Sequence, residues 1–330
     1  MVIVYHEDLL KHTQWCDHPE SPLRLKTLRK KFENEGLWNI VAPEPLDEEL
    51  VLRVHSREHL EKLKGGGNMP IDQDTMLRDD TYEMAMLSAS VAVAAVRHAL
   101  NGEPSIALSR PPGHHAGKCR MGGFCYLNNA AIAAESSGVR TMIIDLDAHH
   151  CNGTEEIFYE RSDVMVVSVH EADFYWDSGY AENTGKGDGV GYNVNIPVPR
   201  GSGNNTYNAA LDEIVLPLIQ DFAPELLIVS LGVDGHYCDP NSHMLLNTQG
   251  YIGLCKKLYD AVPGGRIAFI MEGGYHLRAT AEVFAGVAAM FEGREIKPEY
   301  SEDKVEQGSG VRDIRRMRDS VLQARRPSSP

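Results

Sequence analysis

Four apolar runs, each ending abruptly in a short polar cluster, constrain what this 330-residue chain can fold into. Residues 105–109 lead into Arg110-Pro-Pro-Gly-His114-His115, and residues 141–144 into Asp145-Leu-Asp147-Ala-His149-His150. Residues 226–231 lead into Gly232-Val-Asp234-Gly-His236, and residues 267–271 into Glu272-Gly-Gly-Tyr275. Short β-branched runs bounded by Gly and Pro, with helical stretches between them, predict parallel strands. An opening strand is expected at 2–5, helices at 22–35, 80–100 and 128–137, and a loop at 65–74. The alternation continues through 163–169, 192–196, 205–222, 225–231, 248–261, 266–271 and 277–291. This pattern predicts a single α/β domain with a central, mainly parallel sheet and helices on both faces. Ligands of open parallel sheets gather outside the carboxyl ends of the strands. The four clusters are therefore expected to build one site, with the inventory of a metallohydrolase.

Charge narrows the partners. The chain carries 32 Lys and Arg against 47 Asp and Glu, a net charge of −15. That disfavours direct nucleic-acid binding or a grip on anionic membranes and favours cationic substrates. No apolar run is expected to span a membrane, and residues 1–5 lack the charged start of a signal peptide. Six cysteines without a C-x-x-C pair suit a reducing, cytoplasmic setting. The stretch 171–191, rich in Gly and aromatics, is expected to build part of the site. A catalytic domain is expected over 1–295. A charged tail over 296–330 follows, helical near 312–326 and disordered at 327–330. An oligomer remains open.

Asp147 and His149 alternate with Leu146 and Ala148, so an extended segment turns both polar side chains to one side. Asp234 can supply a third ligand, leaving a fourth position for water or substrate, as a catalytic zinc site requires. So oxygen-rich a set also suits Fe(II) or Mn(II). A lone Asp-x-His is a surface loop in most proteins; the recurrence of apolar runs ending in polar clusters argues against that here. His114 and His115 suggest proton transfer near the metal. Tyr275, on what reads as a flexible two-glycine hairpin, can stabilise a developing oxyanion.

These motifs resemble the arginase-like deacetylases, the family of zinc-dependent histone deacetylases and their prokaryotic relatives. The matching segments are His18-Pro-Glu-Ser-Pro-Leu-Arg24, residues 110–116, Gly123-Phe-Cys-Tyr-Leu-Asn-Asn129, residues 145–150, Asp177-Ser-Gly179, Gly191-Tyr-Asn-Val-Asn195, Asp234 with Asp239-Pro240, and residues 272–275. Glu272 and Asn152 look more like the class II branch. The resemblance implies zinc on Asp147, His149 and Asp234, with iron(II) as the alternative. It further implies His115 as general base and acid, oriented by Asn152, and His114 as an electrostatic partner oriented by Asp145. Tyr275 would donate to the oxyanion. Gly123, Phe124, Phe174, Gly273 and Gly274 would shape an acyl-lysine tunnel, with Asp74 as the rim carboxylate. Structural potassium is implied at Asp145, Asp147, His149 and Ser168.

Two departures from the family pattern stand out. Cys151 replaces a usual Gly, implying a costly backbone angle or a redox-sensitive thiol. His236 is expected behind the metal or at the rim rather than as a ligand.

The substrate implied is an acetyl-lysine peptide or protein, or else an acetylated polyamine or similar small amine. The short 65–80 loop and the neutral Asn241 favour the peptide, whereas the net charge favours the amine. A binuclear manganese ureohydrolase would lack ligands for its second metal. A degenerate acetyl-lysine binder would not need every catalytic group that is present.

Overall fold

The computed structural model describes residues 1–174, 177–306 and 310–324, so the expectation for 327–330 lies outside the described residues. The strands are β1 (Val2–Val4), β2 (Ile40–Val41), β3 (Met69–Pro70), β4 (Met76–Leu77), β5 (Ser105–Ala107), β6 (Thr141–Asp145), β7 (Val164–Glu171), β8 (Asn193–Val198), β9 (Leu226–Leu231) and β10 (Ile267–Met271). Eight of them form one sheet in the order β2-β1-β5-β10-β9-β6-β7-β8. Every pairing in it is parallel. The four runs that ended in polar clusters are the four adjacent central strands, β5, β10, β9 and β6. Their ends are nearly level: Asp145 is opposite Ser230, and Ile270 is opposite both Ser230 and Ala107. Register thus delivers all four clusters to one edge of the sheet.

Every residue of these four strands and of β7 is buried. Both faces are covered by helices, which is why the runs are continuous rather than alternating. The helix Thr81–Leu100 packs across β1, β5 and β10. It is long and apolar enough to pass for a membrane span by length and composition, contrary to the sequence reading. Its burial explains that hydropathy: Ala85, Ala89, Ala92 and Val96 are inaccessible core residues.

Other differences follow from short elements. The expected 65–74 loop holds one strand of the β3–β4 hairpin, which is antiparallel. The helices Arg57–Lys64 and Asn152–Phe158 are too brief to show a clear period. The helix expected at 205–222 is divided by a wider turn at Leu211–Val215. Pro217, which lacks an N–H, lies two residues beyond it. The C-terminal helix starts at Gly310 and packs Ile314 and Val321 onto the domain, with Arg315 2.9 Å from Glu213.

A buried imidazole anchors the loop that leads away from the two histidines. His55 donates from Nδ1 to the Gly117 carbonyl (2.8 Å) and accepts at Nε2 from the Asn128 N–H (2.9 Å). Burial and the stacked His59 ring push its pKa down from 6.5 to about 3. Neutral His55 therefore stabilises the fold fully above pH 6.5. That contribution is lost as pH falls toward 3, at about 1.4 kcal/mol per pH unit. His55→Gln keeps a donor and an acceptor without the proton site. Between pH 6 and 4 its unfolding free energy is predicted to change with pH by about one proton less than the parent's. Equal slopes in urea titrations would contradict the assignment.

Candidate active site

Beyond β6 the chain turns Asp147 and His149 toward Asp234, which follows β9. His149 Nδ1 lies 3.0 Å from Asp147 Oδ1 and 2.9 Å from Asp234 Oδ2. One ligand atom from each of the three residues lies within 4.8 Å of the other two. Backbone amides aim the carboxylates: Gly273 N–H donates to Asp147 Oδ2 (2.8 Å), and Ala148 N–H to Asp234 Oδ1 (2.8 Å). Burial and the charge of Asp147 raise the Asp234 pKa to about 7. Two buried carboxylates this close call for a cation, and an O,O,N donor set oriented by neighbouring amides fits a single divalent metal. Backbone closeness is part of the fit. A Cβ on Gly232 would sit 2.1 Å from Asp147 Oδ2, and one on Gly273 would sit 2.5 Å from an oxygen of each carboxylate.

The loop after β5 lays His114 and His115 against this cluster, with ring centroids 4.0 Å apart. Their environments split them. Burial opposes charge on His114, but Asp147 and then Asp145, 3.3 Å from its Nδ1, prevail and raise its pKa to about 10. Burial and the neighbouring His114 and His149 hold His115 well below the usual histidine range. The Asn152 amide oxygen, 2.8 Å from His115 Nδ1, accepts its proton and leaves Nε2 as the basic atom. One imidazole is thus held as a cation and its neighbour as a base.

A cavity of about 380 Å³ opens over these groups. Its walls include His114, His115, His149, Gly123, Phe124, Phe174 and Tyr275, together with Asp74, Asn241, Ser242 and His243. Phe124 and Tyr275 meet edge to face at 5.7 Å, and Phe174 lies 5.2 Å from the His149 ring. Burial raises the Tyr275 pKa well above the ordinary phenol range, so the phenol keeps its proton.

Several expectations need correcting. Gly273 and Gly274 do not line the cavity: Gly273 backs the metal carboxylates, and the Gly274 carbonyl accepts from Arg24 (2.8 Å). The Tyr275 segment is no flexible hairpin. Arg24, buried and paired with Glu20, also binds the Glu272 carbonyl, while Asp239 Oδ2 accepts from the Tyr275 (2.6 Å) and His276 (2.9 Å) N–H groups. Cys151 has φ −78°, so the expected backbone cost does not arise, and its buried thiol is raised well above the usual range, removing the basis for redox sensitivity. His236 is buried, with Nε2 3.3 Å from Thr248 Oγ1.

The roles of Glu272, Asp239 and Glu171 were missed. Glu272 Oε2 accepts from Gly113 N–H (2.7 Å) and His114 N–H (3.2 Å), tying the histidine loop to the Tyr275 loop. Glu171 holds the ring of His243, a cavity-lining residue, 2.7 Å from Nδ1. The available signal was an acidic residue placed inside, or directly beside, a strand-end motif.

The histone deacetylase domain family model matches residues 18–291. A probable deacetylase of Archaeoglobus fulgidus is 38% identical over 292 residues, covering 83% of this chain and 80% of that protein. Acetylpolyamine amidohydrolase 1 of Pseudomonas aeruginosa is 34% identical, covering 83% and 91% respectively. The crystal structure of the HDA15 HD domain superposes with a TM-score of 0.90 at 28% identity, covering 98% of this chain and 94% of that one.

Crowding at Gly273 gives a test of the metal cluster. Gly273→Ala must separate Asp147 and Asp234, and zinc affinity in metal-buffered titration is predicted to fall about 10–100-fold with the far-UV spectrum unchanged. Parent-like affinity would mean that the two carboxylates do not share an ion.

Proposed function

We propose that this chain, which belongs to the histone deacetylase domain family, removes the acetyl group from Nε-acetyl-lysine in peptides or proteins. Its relatives act as deacetylases and amidohydrolases, and the reaction class is hydrolysis of an amide C–N bond. The observation that carries the substrate reading is the charge of the cavity lining. Among the described residues lining the cavity, Asp74 is the one carboxylate, and Asn241, Ser242 and His243 line it as well. One carboxylate suits the backbone N–H of a peptide, whereas a polyamine presents several ammonium groups, each seeking an anion. A second reading, an acetylated polyamine, is favoured by the net charge of −15 and by relatives named acetylpolyamine amidohydrolase.

Asp147, His149 and Asp234 would hold zinc, or iron(II), which when bound polarises a carbonyl and acidifies water. Phe124 and Phe174 would enclose the acyl-lysine stem. His115 Nε2 takes a proton from the attacking water and passes it to the departing amine nitrogen. His114, oriented by Asp145 at 3.3 Å, would stabilise negative charge as it grows. Tyr275 donates its phenol proton in a hydrogen bond to the acetyl oxygen as that atom gains charge.

The test compares amine release by zinc-loaded protein from an acetyl-lysine peptide and from acetylspermidine. The peptide is expected to be preferred at least tenfold in kcat/KM, about 1.4 kcal/mol in the transition state. Tyr275→Phe is expected to lower kcat about 10²–10³-fold. A tenfold preference for acetylspermidine would replace the peptide reading with the polyamine one.

A further inference from the structure

Residues 297–306 lie beyond the matched 18–291 region, yet they are stitched to the back of the site. Glu282, buried on the helix Leu277–Phe291 that follows Tyr275, accepts from the Glu299 (3.0 Å) and Tyr300 (3.2 Å) N–H groups. The Tyr300 carbonyl accepts from Thr248 N–H (3.0 Å), and the Asn247 amide donates to the Ser301 carbonyl (3.1 Å) and to Asp303 (2.9 Å). The segment thus bridges two elements that both lead to the site. One is the stretch from Asp234 to Thr248 and the other is the helix that starts after Tyr275.

Tyr300 stands where these elements meet. Its ring centroid lies 5.1 Å from that of His276 at 73°, and 6.3 Å from that of His236 at 83°. His276 directly follows Tyr275, and His236 is two residues past Asp234. The Tyr300 main chain already bonds both elements, through its N–H to Glu282 and its carbonyl to Thr248 N–H, and the ring adds packing against the two imidazoles. On the cavity side the same two loops are joined by Asp239, whose carboxylate accepts from Tyr275 and His276. The two stretches also meet directly, Val233 N–H donating to the Gly273 carbonyl (3.1 Å), and the Asp239 carboxylate and the Tyr300 ring add contacts next to Tyr275 and near Asp234.

We infer that Tyr300 is a positioning residue for amide hydrolysis, wedged between His236 and His276 so that Asp234 and Tyr275 keep their relative placement. The inference rests on the roles proposed for those two residues. A displacement of about 1 Å at a catalytic group can cost about 10²-fold in rate, and loosened support of a metal ligand typically costs about 10–100-fold in affinity.

The experiment uses the full chain with Tyr300→Ala, Tyr300→Leu and Tyr300→Phe. Leu keeps apolar volume without a ring, which guards against a failure of the Ala variant to fold, and Phe keeps the ring without the hydroxyl. In the Leu and Ala variants kcat on the acetyl-lysine peptide is expected to fall about tenfold, with KM within about twofold, and zinc affinity to fall about tenfold. Tyr300→Phe is expected to restore both. A lower melting temperature with kcat per folded molecule and zinc affinity at parent values would overturn the inference, as would failure of Phe to rescue. If the parent released no amine from the peptide, the substrate reading would fall, while the zinc titration would still test Tyr300.

Discussion

Repulsion between two buried carboxylates is the constraint on which the rest of this structure depends. Asp147 and Asp234 share one imidazole partner at 3.0 and 2.9 Å, away from water. Burying a charge without compensation costs several kcal/mol per ion. Part of that cost is offset by amide donors on Gly273, Ala148 and His149, each aimed at one oxygen. The remainder calls for a cation. Without that cation the same negative field raises the His114 pKa, and His114 in turn lowers that of His115. The Asp147, His149 and Asp234 cluster and the two neighbouring histidines therefore belong to one electrostatic unit.

A recurring device holds that unit together: a carboxylate from one loop accepts main-chain N–H groups from another. Glu272 grips Gly113 and His114, Asp239 grips Tyr275 and His276, and Asp72 grips Gly123 at the cavity wall (2.9 Å). Each bond is short in space and long in sequence, so loops from different strands become one rigid lining. Preorganisation of this kind is where enzymes gain most of their electrostatic stabilisation of a transition state. The parallel sheet makes it attainable, because β5, β10, β9 and β6 end level with one another.

The central strands and the meeting of Asp147, His149 and Asp234 were legible in the sequence because their signals are local. A fully buried strand reads as a continuous apolar run, and Asp147 with His149 sits two residues apart at the end of one. What was not legible lies in pairings across long separations. Nothing near Glu272 announces that it will bind the backbone at Gly113, and nothing near Arg24 announces the carbonyl of Gly274. Gly273 and Gly274 were read as tunnel walls because glycine signals close approach without saying to what. They approach the metal carboxylates and a buried guanidinium instead. The short helices and the two-residue strand β2 were missed because too few residues express a period.

The measurement that bears most directly on the central claim is the stoichiometry and affinity of zinc for the parent chain and for Asp234→Asn, read by metal-buffered titration. The account predicts one zinc ion per parent chain and a loss of at least about 100-fold in affinity when the Asp234 charge is removed. Two tightly bound zinc ions per chain, or an Asp234→Asn protein that binds zinc as the parent does, would contradict it.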